Sequence, residues 1–170
     1  MIALAFHRGK GLYAQLIYQR TGGQYSHVEL VFNPEDGFAN ALCYSSREPD
    51  GTGFRYIDLT NKDEWTVVPL TNITDPHVME KALWYCKGSS DRAYDYIGIC
   101  GIGIDKTDMH WTQARFCSEE VTVVLQEVFG MFPGMHSWRV APSGFGATDD
   151  LSLHGLYELV TGAQKFVAPA

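Results

Sequence analysis

The chain has little of what a disulfide-stapled secreted domain needs. Four cysteines, Cys43, Cys86, Cys100 and Cys117, are spread over 170 residues with no C-x-x-C pair. That is sparse for a disulfide framework, so each reads as a free thiol. Basic residues are also in short supply: 13 Lys and Arg against 20 Asp and Glu leave a net charge of −7. Neutralising a phosphate backbone takes a surplus of Lys and Arg, so the balance argues against a general nucleic-acid binder. It also weakly disfavours an anionic membrane or polymer as substrate. No apolar run approaches the ~18–20 residues that a bilayer-spanning helix requires, so no integral membrane segment is expected. His7, Arg8 and Lys10 interrupt the opening apolar stretch, whereas a secretory signal puts its basic residues first. The expectation is an intracellular, cytoplasmic protein. Internal repeats and low-complexity linkers are absent too.

What is present suits one domain over residues 1–170. With 45% hydrophobic and 13% aromatic residues, the chain carries enough large side chains for a core, and its length fits a single one.

Residues 2–7 read as a short strand, followed by a helix whose apolar positions Leu12, Leu16 and Ile17 run until Gly22-Gly23. Ser26 to Phe32 alternates, with Val28, Leu30 and Phe32 on one face and His27, Glu29 and Val31 on the other. The turn Asn33-Pro34-Glu35-Asp36-Gly37 predicts a hairpin to a strand over 38–46, and 54–59 and 65–70 are further strand candidates. The first half is therefore β-rich and antiparallel.

The second half is helical. Asp75-Pro76 is an N-cap followed by proline at the first helical position, and Val78, Met79, Ala82, Leu83, Tyr85 and Cys86 form a stripe that Gly88 should stop. The run 94–104 fits neither a helix nor a strand cleanly because Gly98, Gly101 and Gly103 weaken both. Val121, Val124, Leu125 and Val128 repeat at helical spacing up to Gly130, which puts Cys117 at the head of a helix. A last helix is expected over 152–160, with Leu153, Leu156, Tyr157 and Val160 inward. The fold class is α+β, an antiparallel sheet packed against helices, with the Cys117 helix against the His27 strand.

Cys117 is the candidate nucleophile. The free N–H groups of a helix N-terminus favour an anion, which lowers a thiol pKa and populates the thiolate. Its spacing to Val121 points the sulfur toward the packed side of the helix. Against this stand Glu119 and Glu120, whose charge opposes a thiolate unless they point outward, and the fact that a buried Cys is often an inert small hydrophobe. His27 is the candidate base, since a thiol nucleophile needs an imidazole to take its proton and return it to the leaving group. A strand histidine is also often structural. His7, His77, His110, His136 and His154 sit at a strand end, in a helix first turn or in irregular segments, and are weaker candidates.

The order Tyr25-Ser26-His27-Val28-Glu29-Leu30-Val31, then Tyr94-Asp95-Tyr96, then Phe116-Cys117-Ser118-Glu119-Glu120-Val121 opening a helix resembles the circularly permuted papain-like hydrolases. These are the YiiX and lecithin–retinol acyltransferase-like branch of the NlpC superfamily, where the His strand precedes the Cys helix. The resemblance takes in the opening strand and helix and the segment containing Pro142. It implies a cysteine hydrolase of the amidase or peptidase type: Cys117 attacks an acyl carbon, His27 shuttles the proton, and the backbone N–H of Cys117 holds the oxyanion. It also implies a peptide, peptidoglycan-like or acyl substrate.

The sequence departs from the family at the residue that orients the imidazole. The strand after the His strand offers only Ser45 or Ser46 where a polar His, Glu, Asp or Asn is usual, and a hydroxyl stabilises an imidazolium less than a carboxylate does. Glu29, on the His27 face, is the substitute; its alternative role is a solvated edge carboxylate. Tyr25 and Tyr94 either line the cleft or belong to the core.

No motif calls for a cofactor. Cys100, His110 and Cys117 do not have zinc spacing, and Gly98-x-x-Gly101-x-Gly103 lacks the Lys-Ser/Thr of a P-loop and reads as a close-packing or turn segment. The rivals to an amide hydrolase are a lipid acyltransferase or thioesterase and a non-catalytic binding module on the same fold.

Overall fold

The computed structural model describes residues 1–32, 37–71, 73, 75–103, 113–144 and 154–166. Five strands come first: β1 (Ile2–His7), β2 (His27–Phe32), β3 (Ala41–Arg47), β4 (Gly51–Ile57) and β5 (Trp65–Pro69). They form one sheet in the order β4-β3-β2-β1-β5, with every neighbouring pair antiparallel. The expected β2–β3 hairpin is present, with Leu30 opposite Tyr44. The strands expected over 38–46 and 54–59 lie a few residues from those positions, because β3 and β4 pair through a tighter turn, Arg47 opposite Gly51. Gly51 sits at φ 74°, a left-handed conformation that suits glycine.

Helix α1 (Leu12–Thr21) joins β1 to β2 and stops at Gly22, whose left-handed backbone donates its N–H to the Tyr18 carbonyl. Leu12, expected inward, is 89% exposed, whereas Ile17 is buried as expected, together with Ala14. Helix α2 (Pro76–Ser89) begins as expected, with the Asp75 carboxylate accepting from the His77 N–H at 2.9 Å. It continues through Gly88 to Ser89, since a single glycine costs a helix only about 1 kcal/mol.

The ambiguous glycine-rich run divides into strand β6 (Ala93–Tyr94) and helix α3 (Tyr96–Gly103). Strand β7 (Ala114–Arg115) pairs parallel with β6 and leads directly into α4 (Cys117–Phe129), which Gly130 ends in a left-handed cap. Strands β8 (Val140–Ala141) and β9 (His154–Gly155) form a second parallel pair. Helix α5 (Leu156–Phe166) starts later than the expected 152, because residues 154–155 are taken by that pairing. Leu156 and Val160 are buried as expected, while Leu153 lies outside the described residues.

The sheet buries both faces. Leu4, Phe6, Val28, Leu30 and Tyr44 pack against Val121, Val124 and Leu125 of α4, Ala82 and Cys86 of α2, and Leu156 of α5. Ala3, Ala5, Val31 and Cys43 on the opposite face are covered by Leu59, with Phe38, Trp65 and Val67 packed around them. Burial of these side chains contributes roughly 1.5–3 kcal/mol each, before entropy is set against it. Among the described residues no helix is long and apolar enough to cross a membrane.

Candidate active site

The head of α4 is held where the sequence puts a nucleophile. Residue Phe116 is the extended N-cap, fully buried, and Cys117 is the first helical residue. Pairing of Tyr94 with Arg115 fixes the approach to the helix from below, and the Ser118 hydroxyl donates to the Val140 carbonyl just inside it. By position the Cys117 N–H belongs to the first turn, whose N–H groups have no intrahelical acceptor. The thiol is 1% exposed and faces the packed side of α4, as the helical spacing predicts.

His27 is the first residue of β2 and lies directly opposite His7 on β1. Alternation assigns His27 and Glu29 to the sheet face away from α4, yet the His27 ring comes close enough to Cys117 for the two to interact electrostatically. The two meet at the end of the sheet, which a side chain on the first strand residue can reach around. The ring also meets Glu29, with Nε2 2.8 Å from Oε1. Burial pulls the imidazole pKa down. The Cys117 charge, the hydrogen bonds to Cys117 and Glu29 and the Glu29 charge outweigh it and raise the pKa from 6.5 to about 9. The charged form of the ring is therefore favoured.

Glu29 is completely buried, which removes its reading as a solvated edge carboxylate. The Arg55 guanidinium stands 3.4 Å from the same oxygen that meets His27, and Arg55 also donates to the Ser45 carbonyl at 2.8 Å. The expectation that Ser45 orients the imidazole fails on geometry. Its hydroxyl donates to the Val28 carbonyl at 2.7 Å, and the Ser46 hydroxyl is spent on the Arg115 carbonyl.

Glu119 and Glu120 do not point outward, and the structure shows why they need not oppose a thiolate. The Glu120 carboxylate is buried, pairing with Arg115 at 2.8 Å and accepting from the Tyr44 hydroxyl at 2.7 Å. Glu119 reaches back to the Phe116 N–H as one half of a capping box. Burial raises its pKa to about 8, helped by the nearby Asp95 and Glu120 against Arg115. At neutral pH one acid is mostly protonated and the other is neutralised by its partner.

A cleft of about 300 Å³ opens beside His27, lined by His7, Tyr13, His27, Glu29, Trp65 and Tyr94. Tyr94 lines it as one of its two readings allowed, whereas Tyr25 is a core residue, 1% exposed, whose hydroxyl contacts Thr66 and Arg8. Histidine 7, ranked low as a strand-end residue, faces the cleft with its ring 4.5 Å from that of Trp65. Its pKa is lowered by burial and by charged His27. Only the β1–β2 register brings it there, and a ten-residue helix hides that register in the sequence. A larger depression of about 460 Å³, lined by Phe38, Leu59 and Lys62, carries none of Cys117, His27, Glu29 and Ser45.

Of the other thiols, Cys43 and Cys86 are buried and pushed up by desolvation, and Cys100 is exposed. Among the described residues no three His, Cys, Asp or Glu side chains are grouped to hold a metal ion, and His110 lies outside them.

No protein-family model and no curated protein matches the chain. Among solved structures, one described as "metalloprotein yiiX from Escherichia coli O157:H7, DUF1105" aligns with a TM-score of 0.55 at 18% identity. The alignment covers 76% of this chain and 66% of that one, so this chain spans just under two thirds of its length. The likeness shows the fold: the chain has the α+β architecture of that structure.

Proposed function

We propose that residues 1–170 act as a single-domain cysteine hydrolase of amide bonds, with Cys117 as nucleophile and His27 as general base and acid. The observation that carries this reading is the His27 ring, 2.8 Å from the buried Glu29 carboxylate and within electrostatic reach of Cys117 at the head of α4. Glu29 orients the ring and stabilises its charged form, the role that a carboxylate fills in nucleophile–imidazole–acid triads. The Cys117 thiolate attacks the carbonyl carbon to form a C–S bond, and the carbonyl electron pair moves to oxygen beside the Cys117 N–H. Collapse of that intermediate breaks the C–N bond while imidazolium gives its proton to the departing amine. Water then attacks the thioester, His27 takes its proton, and a carboxylate leaves with the thiol restored. A peptide or cell-wall-like amide fits this chemistry, and transfer of a lipid acyl group would use the same two residues. None of these steps is routed through a metal.

The near-complete burial of Cys117, 1% exposed, favours a second reading, a binding module that keeps the fold without the reaction. Alkylation by iodoacetamide separates the two. Because Cys100 is exposed, the measurement belongs in a Cys100→Ser background, with the modified peptides located by mass spectrometry. A hydrolase labels at Cys117 at pH 6 well ahead of Cys43 and Cys86, and His27→Ala removes that lead. Equal, slow labelling at all three sites overturns the hydrolase reading.

A further inference from the structure

The cleft beside His27 is walled by rings. The Trp65 and His7 rings lie 4.5 Å apart at a 34° tilt, and Tyr94 is backed edge-on by Tyr96 with centroids 5.0 Å apart. Tyr13 lines the same cleft from the first turn of α1 and is 49% exposed, while Tyr96 is 41% exposed. Aromatic side chains lining a concavity suit it to hold an apolar group of a ligand. The volume of about 300 Å³ is at the low end for small-molecule sites, room for a group the size of one side chain.

We propose that this cleft receives an aromatic ring adjacent to the scissile amide, held by Trp65, Tyr13 and Tyr94. Aromatic pairs gain about 0.5–1.5 kcal/mol beyond the area they bury, through offset and edge-to-face contacts that a straight acyl chain does not make. An ammonium group is the other ligand that rings attract, and the charges present oppose it. Arg47 and His27 line the same cleft, and of its two carboxylates Glu29 is paired with His27 and Arg55 while Glu48 is engaged by the Tyr96 hydroxyl. The scissile amide comes from the hydrolase reading, whereas the binding preference follows from the cleft alone.

The binding half is tested in a Cys117→Ala variant, which holds substrate without turning it over. NMR titration would compare N-acetyl-phenylalanine amide, N-acetyl-alanine amide, N-acetyl-lysine amide and decanamide. The expected result is that the phenylalanine amide binds at least tenfold more tightly than the other three, and that Tyr13→Ala removes most of the preference. Tyr13 is half exposed, so that variant keeps its fold, and Trp65→Leu provides a second check from the opposite end of the lining. Equal binding of all four, or tighter binding of the lysine amide or decanamide, overturns the proposal. Turnover of phenylalanine and alanine p-nitroanilides by the unmodified chain reads the other half. Aromatic binding without cleavage would defeat the hydrolase reading alone, and cleavage without aromatic preference would defeat this proposal alone.

Discussion

Glu29 Oε1 lies 2.8 Å from His27 Nε2, two residues further along the same strand. Alternation along β2 makes this pairing almost automatic: i and i+2 share a face, and the side chain at i sits at the strand end, where it can turn. The carboxylate that meets the imidazole is thus supplied by the histidine's own strand. Its charge is kept from water by complete burial and is met by Arg55 at 3.4 Å.

That arrangement predicts the imidazole titration. Followed by the ring proton resonances in NMR, His27 should titrate near 9 in the unmodified chain. Both Cys117→Ala and Glu29→Gln should bring it down toward its ordinary 6.5, because each removes a group that favours the charged ring. Ser45→Ala should leave it in place, since that hydroxyl serves the Val28 carbonyl. A titration indifferent to Glu29→Gln would remove Glu29 from the site.

Much of this was legible in residue order. Alternation over β2 named His27 and Glu29 as neighbours, and the i, i+3, i+4, i+7 pattern after Cys117 put the thiol at a helix head, because both periods are fixed by backbone geometry. What stayed hidden depends on contacts distant in sequence. His7 faces His27 only through strand pairing across α1, Arg55 comes to Glu29 from β4, and Glu119 and Glu120 look like solvent-facing charges until Arg115, Tyr44 and the Phe116 N–H are brought to them. The aromatic wall is likewise assembled from α1, β5 and the β6–α3 junction.

Glu119 should make stability depend on pH. Its carboxyl pKa is raised by burial from 4.5 to about 8, so between those values the folded state binds more protons than the unfolded chain. Stability then falls as pH rises through that window. His27 contributes with the same sign between 6.5 and about 9. The share due to Glu119 is isolated by subtracting the Tm profile of Glu119→Gln, which keeps a neutral group in the same space. The difference should grow in favour of the variant from pH 5 to pH 8, and a flat difference would show that Glu119 ionises without penalty.

The buried Arg115–Glu120 pair, completed by the Tyr44 hydroxyl, should be costly to break on one side. Arg115→Met leaves a carboxylate at 0% exposure without its cation, and removing one partner of a buried pair typically costs about 3–5 kcal/mol. The double variant Arg115→Met/Glu120→Leu removes the stranded charge as well and should recover most of that loss in urea unfolding. A single variant as stable as its parent would mean that the pair is solvated.

Gly98 gives the sharpest test of how the Cys117 helix is placed. A methyl group there would stand 2.6 Å from Asp95 Oδ2 and 2.9 Å from the Phe116 ring, while the Gly98 N–H donates to Asp95 Oδ1 at 2.8 Å. Two effects oppose one another in Gly98→Ala. Helix propensity favours alanine by up to about 1 kcal/mol, and overpacking costs about 1–3 kcal/mol when the neighbours are held. Here both are held, because Asp95 and Phe116 are completely buried and Phe116 is the residue before Cys117. Overpacking should win: Gly98→Ala should lower stability in urea unfolding and slow alkylation of Cys117 by displacing the helix head. Gly88→Ala supplies the control, since a methyl group at that helical position meets nothing within 4 Å and should raise stability. If both variants are stabilised, Gly98 is an ordinary helix glycine and the tight seam between α3 and Phe116 does not position Cys117.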